Sequence, residues 1–331
     1  MPPVKRYADL LPLTGTVLLL AGCGGNENTL APDSHAESSI THLFWIVFGF
    51  SAFGFGVVCL LLFLGWWRRN KESLPGGGGE KAATGVVIGA GVFLPIVLLV
   101  ALFVYADLFV MKATSAPAKG SAQLTIDVTG HQFWWEASYR GSGAVTANEI
   151  HIPTHTRVAI VTHTADVIHS FWIPQLNRKM DMIPGQANRV LLDANKPGIF
   201  AGHCSEFCGL QHSHMVVLVV AQPRAAFDRW LAHNARPAAN TDPVGRRLFL
   251  ANACAGCHRI RGTSANGDVG PDLTHFASRM TIGAVRIPND PAHLAQWLRH
   301  PQAIKPGNKM ADLALPPATF AALGRYMESL R

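Results

Sequence analysis

The sequence predicts three unlike parts in series: a two-helix transmembrane hairpin, an all-β sandwich and a small all-α domain. Three observations carry that order. Two long apolar runs, residues 41–67 and 83–111, fall in the first third of the 331 residues, each long enough to cross a bilayer as a helix. Residues 120–222 then break into short β-rich runs separated by turn residues. Residues 243–331 hold a C-x-x-C-H motif between two helix-like segments, Val244-Gly245-Arg246-Arg247-Leu248-Phe249 and residues 318–330.

Residues 1–22 read as a signal peptide. Lys5 and Arg6 form the charged start, Val17-Leu18-Leu19-Leu20-Ala21-Gly22 the apolar end, and small residues the cleavage site. Leu20-Ala21-Gly22-Cys23 resembles a bacterial lipobox, which implies cleavage before Cys23 and a lipid on its sulfur. Between the apolar runs, residues 68–82 carry Arg68, Arg69, Lys71, Lys81 and the tract Gly76-Gly77-Gly78-Gly79. The positive-inside rule places this loop in the cytoplasm and both ends of the hairpin outside. Trp66 and Trp67 suit the headgroup belt, and Pro95 predicts a kink in the second span. Cys59, within the first run, reads as a small buried hydrophobe.

In the sandwich, Gln123-Leu124-Thr125-Ile126-Asp127-Val128-Thr129 and Ile150-His151-Ile152 alternate. Val158-Ala159-Ile160-Val161, Val190-Leu191-Leu192 and Val216-Val217-Leu218-Val219-Val220 are further strand candidates. Residues 223–242 read as a linker that includes a short helix at Phe227-Asp228-Arg229-Trp230-Leu231. The formal net charge of +7 is concentrated after residue 243, where eleven Lys and Arg face five Asp and Glu. A basic end of that kind attracts an acidic partner or an anionic surface. No basic-aromatic interleaving supports a nucleic-acid function.

The chemistry is densest in Cys204-Ser205-Glu206-Phe207-Cys208-Gly209-Leu210-Gln211-His212-Ser213-His214-Met215. Thiolate, imidazole and thioether together suit copper better than zinc. A mononuclear copper loop needs one cysteine, and here Cys204 and Cys208 can bridge two coppers. His169 and His212 would each supply a terminal nitrogen, with Met215 and the Glu206 carbonyl as weak axial ligands. Two coppers sharing two sulfurs spread one unpaired electron over both ions, an arrangement suited to electron transfer.

Cys254-Ala255-Gly256-Cys257-His258 is a c-type haem attachment motif: two thiols for the vinyl groups and an imidazole for the iron. The second axial ligand must come from downstream. Met310, in Lys305-Pro306-Gly307-Asn308-Lys309-Met310, is favoured, with Met280 and Met327 as rivals. Val244 to Phe249, Gly270-Pro271-Asp272-Leu273 and the Met310 loop resemble small cytochromes c.

The copper loop, with Asp166-Val167-Ile168-His169-Ser170-Phe171, Gly130-His131-Gln132-Phe133-Trp134-Trp135 and Lys179-Met180-Asp181-Met182-Ile183-Pro184-Gly185, resembles the binuclear CuA region of cytochrome c oxidase subunit II. The whole chain resembles the bacterial variant with a cytochrome c fused to its C-terminus. The resemblance implies a cupredoxin-like sandwich and an all-α cytochrome c domain. It also implies an electron-input subunit on the outer face of a bacterial plasma membrane. Electrons would enter at the haem from an external donor, such as a cytochrome or a quinol–cytochrome reductase complex. They would pass through CuA to subunit I of a haem-copper oxidase, which reduces dioxygen to water with proton translocation. Trp135 would belong to the electron path, and the Glu206 side chain would reach a magnesium ion shared with subunit I.

Three departures stand out. Phe133 occupies the position where many members have the tryptophan proposed to receive electrons. The second span opens Val86-Val87-Ile88-Gly89, without the glutamate proposed to feed a proton channel, and Glu80 is the nearest acid. His214 is an additional loop histidine, read as hydrogen-bonded rather than ligating, as are His131, His151, His155, His163 and His203. Rival readings are the CuA subunit of another terminal reductase, such as a nitric oxide reductase, and a membrane-anchored copper redox shuttle.

Overall fold

A computed structural model describes residues 25, 27–69, 79–239 and 242–331. The signal segment 1–22, Cys23 and residues 70–78 of the expected cytoplasmic loop lie outside the described residues. Helix α1 (His35–Arg68) starts at Ser34, whose Oγ accepts the Glu37 N–H at 2.8 Å and so satisfies one free donor of the first turn. Helix α2 (Glu80–Thr114) carries π-helical turns at Gly89–Phe93 and Ala106–Met111. Pro95 lies two residues after the first of these, and a π turn is one way a helix absorbs a missing N–H. The start of α1 packs on the end of α2, so the two form an antiparallel pair. Their apolar stretches are otherwise uncovered, a surface that requires lipid or another apolar partner. Helix α1 extends past its apolar run by six residues at the start and one at the end, and α2 by three residues at each end. Cys59, expected to be buried, is exposed on α1, because no second helix among the described residues covers it.

The next region has ten strands: β1 (Thr125–His131), β2 (Trp134–Tyr139), β3 (Val145–Ala147), β4 (Glu149–Pro153), β5 (Val158–Thr164), β6 (His169–Trp172), β7 (Met180–Met182), β8 (Asn188–Leu192), β9 (Gly198–Cys204) and β10 (Val216–Gln222). They form two five-stranded sheets, ordered β3-β2-β1-β5-β8 and β4-β10-β9-β6-β7. The β1–β5 and β4–β10 pairs are parallel and the others antiparallel. Alternation along β1 turns Ile126 and Val128 inward, where they meet Ile150, Ile152, Val217 and Val219 of the facing sheet. Each such side chain contributes roughly 1.5–3 kcal/mol by leaving water. Residues 224–234, expected within a linker, form α3 (Arg224–Asn234). Its Phe227 enters the sandwich core and its Trp230 stacks on His151 at 4.0 Å.

The C-terminal domain comprises α4 (Pro243–Ala251), α5 (Cys254–Cys257), the short pair β11 (Thr281–Ile282) and β12 (Ile287–Pro288), α6 (Pro291–Arg299), α7 (Pro301–Ile304) and α8 (Pro317–Ser329). Asp242 caps α4 by accepting the N–H groups of Val244 and Gly245. Helices α4 and α8 cross closely at Gly245, where a Cβ would lie 2.4 Å from Tyr326 Cβ and 3.0 Å from the Ala322 carbonyl. Phe249, Leu323, Tyr326 and Met327 form the core of that crossing.

Candidate functional site

Strands β9 and β10 are hydrogen-bonded neighbours, so the segment between them, residues 205–215, closes over one end of the sandwich. Cys204 is the last residue of β9 and His169 the first of β6, which pairs with β9. Rigid strand ends thus fix two donors, and the loop brings the rest to them. Cys204 Sγ lies 3.7 Å from His169 Nδ1 and 3.2 Å from the Glu206 carbonyl oxygen. Cys208 Sγ lies 3.7 Å from His212 Nδ1 and 3.8 Å from Met215 Sδ. The two sulfurs are 3.8 Å apart. All six residues singled out as metal ligands are therefore together, while the Glu206 side chain is exposed. Sulfurs at this spacing can share a metal ion, given metal–sulfur bonds of about 2.3 Å. Each sulfur has its own imidazole and its own weak donor, so the soft donor set fits copper.

One of the two thiols is electronically prepared for metal. Cys204 is held well below the usual thiol range by its hydrogen bonds to Cys208 and His169 and to backbone at Ser170 and Glu206, although burial opposes this. Its thiolate in turn pushes Cys208 up. Asp166 Oδ1 accepts the His169 Nε2–H at 2.9 Å, which fixes the tautomer and turns the bare Nδ1 toward Cys204. Burial would raise the Asp166 pKa. Its bonds to His169, the Gln132 and Val167 N–H groups and Lys309 outweigh burial and hold it near 2. Gly130 gives the His169 ring room: a Cβ there would lie 2.8 Å from the ring's Cδ2. Trp135, fully buried, donates its indole N–H to the Met215 carbonyl at 3.3 Å and packs beside His169. His214 turns its Nδ1 to Gln211 Oε1 at 2.8 Å, away from the thiols.

In the C-terminal domain, Cys254, Cys257, His258 and Met310 line one cavity of about 270 Å3 that opens to solvent. His258 Nδ1 donates to the Pro271 carbonyl at 2.9 Å, leaving Nε2 bare, and burial pushes its pKa down so that the ring stays neutral. Gly270 lies flat under that ring, where a Cβ would come within 2.5 Å of His258 Cε1. Of the two rival methionines, Met327 lines the cavity from α8 and Met280 does not. Leu273, Phe276, Leu294 and Leu298 supply an apolar lining, so shape, thiols and a fixed imidazole fit a covalent haem.

This cavity is not closed by its own domain. Gln132, Phe133, Trp134 and Asn148 of the sandwich form part of its wall. Phe133 is buried, its ring against Gly209 of the metal loop, and Gln132 Nε2 donates to the Cys208 carbonyl at 2.6 Å. Between the domains, Lys305, Glu149, Gln211, Lys309 and Arg261 make polar contacts. Neither Asp166 nor these interface residues was assigned a role from sequence. Only Asp166 left a local signal, a carboxylate three residues before His169.

Fold and donors together define a class: a membrane-helix hairpin carrying a copper-binding sandwich and a haem-binding helical domain. Residues 144–222 match the family described as cytochrome c oxidase subunit II, periplasmic domain, and residues 244–331 match cytochrome c. The cytochrome c oxidase subunit 2 of Alkalihalophilus pseudofirmus is 33% identical over 353 aligned positions, 99% of this chain and 98% of that protein. That of Bacillus subtilis is 28% identical, covering 99% of both. The crystal structure of the periplasmic domain of subunit II of cytochrome oxidase from Bradyrhizobium japonicum is 30% identical, covering 36% of this chain and 96% of that one, at a TM-score of 0.34. The chain belongs to the cytochrome c oxidase subunit II family, in the form that carries a C-terminal cytochrome c domain.

Proposed function

We propose that this chain is the electron-input subunit of a cytochrome c oxidase, with a binuclear CuA centre and a covalent haem c. The observation that carries the reading is the convergence of two thiols, two Nδ1 atoms, a thioether and a carbonyl beside a cavity lined by a C-x-x-C-H motif. When bound, the two groups supply one-electron carriers between an external donor and the catalytic subunit that reduces dioxygen to water.

The protein's own residues do the holding and orienting. Cys204, Cys208, His169, His212, Met215 and the Glu206 carbonyl would hold the copper pair. Asp166 sets the His169 tautomer, and Trp135 ties down the loop at Met215. In the haem domain Cys254 and Cys257 would attach the haem, and His258 and Met310 would hold its iron. Phe133 and Trp135 lie on the route between the two centres. The exposed Glu206 carboxylate is available to a magnesium ion at the contact with subunit I. The haem domain spans 243–331 and the CuA domain 120–222.

Partners in this reading are subunit I and the other oxidase subunits, with a cytochrome or a quinol–cytochrome reductase complex as donor. The hairpin sits in the plasma membrane with both redox domains outside and a lipid at Cys23. Relatives that span the whole chain are oxidase subunits, which favours this over a nitric oxide reductase subunit or a copper shuttle. Elemental analysis of the full chain tests it. Two coppers per haem iron are expected, and one copper, or zinc in its place, would refute it.

A further inference from the structure

The two redox domains exchange buried charged side chains. Glu149, on β4 of the sandwich and only 2% exposed, reaches into the haem domain. There its Oε1 accepts the backbone N–H groups of Met280 at 2.7 Å and Thr281 at 3.1 Å. Lys305, in the haem domain and also 2% exposed, reaches the other way. Its Nζ donates to the carbonyls of Phe133 at 2.8 Å and His214 at 2.9 Å in the sandwich, and to Gly283 at 2.9 Å in its own domain. An ammonium has three N–H donors, so these carbonyls use all of them. The two charges do not pair with each other. Lys305 is satisfied by backbone carbonyls, and Glu149 by two backbone N–H groups, the Thr281 hydroxyl and the nearby charge of Arg279. These partners are correctly placed in one packed pose of the domains only, and another packed pose would strand a buried charge.

Both contacts land where electrons would cross. His214 lies between His212 and Met215 in the metal loop, and Phe133 and Thr281 line the haem cavity. Gln132, in the cavity wall, donates to the Cys208 carbonyl, so a single side chain and hydrogen bond connect wall and metal loop. A flexible tether alone would give a high local concentration but no fixed geometry.

Resting on the proposed presence of both redox groups, we infer that Glu149 and Lys305 are positioning residues. They form a reciprocal clamp that holds the haem pocket against the CuA loop in one transfer-ready pose, so one electron crosses without a docking step. Haem iron is oxidised, the copper pair is reduced, and no atom or proton need move.

The test uses the detergent-solubilised full chain with haem attached and copper loaded. The haem is reduced by a light pulse, and haem oxidation and copper reduction are followed optically, with and without glycerol. Wild type is expected to transfer in one phase insensitive to viscosity. Lys305→Met and Glu149→Ala are expected to slow transfer by about tenfold or more and to make it viscosity-dependent. Both redox potentials are measured in each variant, and a rate loss larger than the measured change in driving force accounts for, with the copper spectrum retained, separates positioning from damage to either site. Glu149→Gln keeps an acceptor oxygen and should largely restore the rate. Amide hydrogen exchange at Met280 and Thr281 reads the clamp without either redox group, and protection there should fall in both slow variants. Wild-type rates and protection in Lys305→Met would overturn the clamp. Should that variant not fold, the same result in Glu149→Ala overturns it. Absence of transfer in wild type would instead overturn the two-centre reading, with amide exchange still deciding on the clamp.

Discussion

Asp166 offers a sharp prediction because it touches no metal ligand atom directly, yet governs one. Its carboxylate receives the His169 Nε2–H at 2.9 Å, the Gln132 N–H at 2.8 Å and the Val167 N–H at 2.9 Å, with Lys309 Nζ at 3.2 Å. Asp166→Ala removes the group that keeps His169 Nδ1 free of a proton and aimed at Cys204. Loss of such an outer partner lowers metal affinity by about 10–100-fold, or ~1.4–2.7 kcal/mol. Asp166→Asn keeps an acceptor for the imidazole but loses the negative charge, so its affinity should fall between the two. The Lys309 contact adds little, since that lysine is half exposed and exposed pairs contribute about 0–1 kcal/mol. The assay is competition for copper between the full chain and a chelator of known affinity, with haem-domain melting as the control for folding. Affinity within about twofold of wild type in Asp166→Ala would refute the argument that this carboxylate sets the site.

Three further predictions concern the haem domain and the sandwich. Met310→Leu should abolish the sulfur–iron charge-transfer absorption of the oxidised haem, whereas Met280→Leu should leave it intact; the reverse outcome would reassign the axial ligand. Gly245→Ala should push α4 off α8 at Tyr326 and destabilise the haem domain by about 1–3 kcal/mol in chemical denaturation, and a loss within error would show that the crossing yields freely. Burial against Trp230 and the sandwich pushes the His151 pKa down from 6.5 to about 4. The unfolded chain therefore binds a proton in that range that the native chain refuses. Stability should be fully present above pH 6.5 and fall by roughly 3 kcal/mol as pH drops toward 4. His151→Leu should flatten that slope, and an unchanged acid slope would show that other groups carry it.

Most of the metal loop was legible because its donors are local: five of the six proposed ligands fall within residues 204–215, and residue types alone specify soft-metal chemistry. His169, the sixth, lies outside that run, where a lone histidine at a strand start has no periodic signature of its own. The clamp was not legible at all. Glu149 and Lys305 meet partners 131 and 172 residues away in sequence, and a single charge in a strand or loop reads as solvated until the fold shows it buried. Strands with strong β-branched alternation, such as β5 and β10, stood out. Strands β6, β7 and β9 did not, because histidine, glycine, methionine and cysteine serve the site there and dilute the pattern. Helix α3 was expected only over residues 227–231, and its full eleven residues were not legible because only Phe227, Trp230 and Leu231 carry the packing. Apolar length located the membrane helices but not their ends, which polar capping at Ser34 extends past the lipid-facing stretch.

Electron paramagnetic resonance of the full chain, haem attached and copper loaded, tests the central claim most directly. The account predicts hyperfine splitting from two equivalent coppers sharing one unpaired electron, lost in Cys208→Ser. Splitting from a single copper, or no copper signal beside that of the haem, would contradict it.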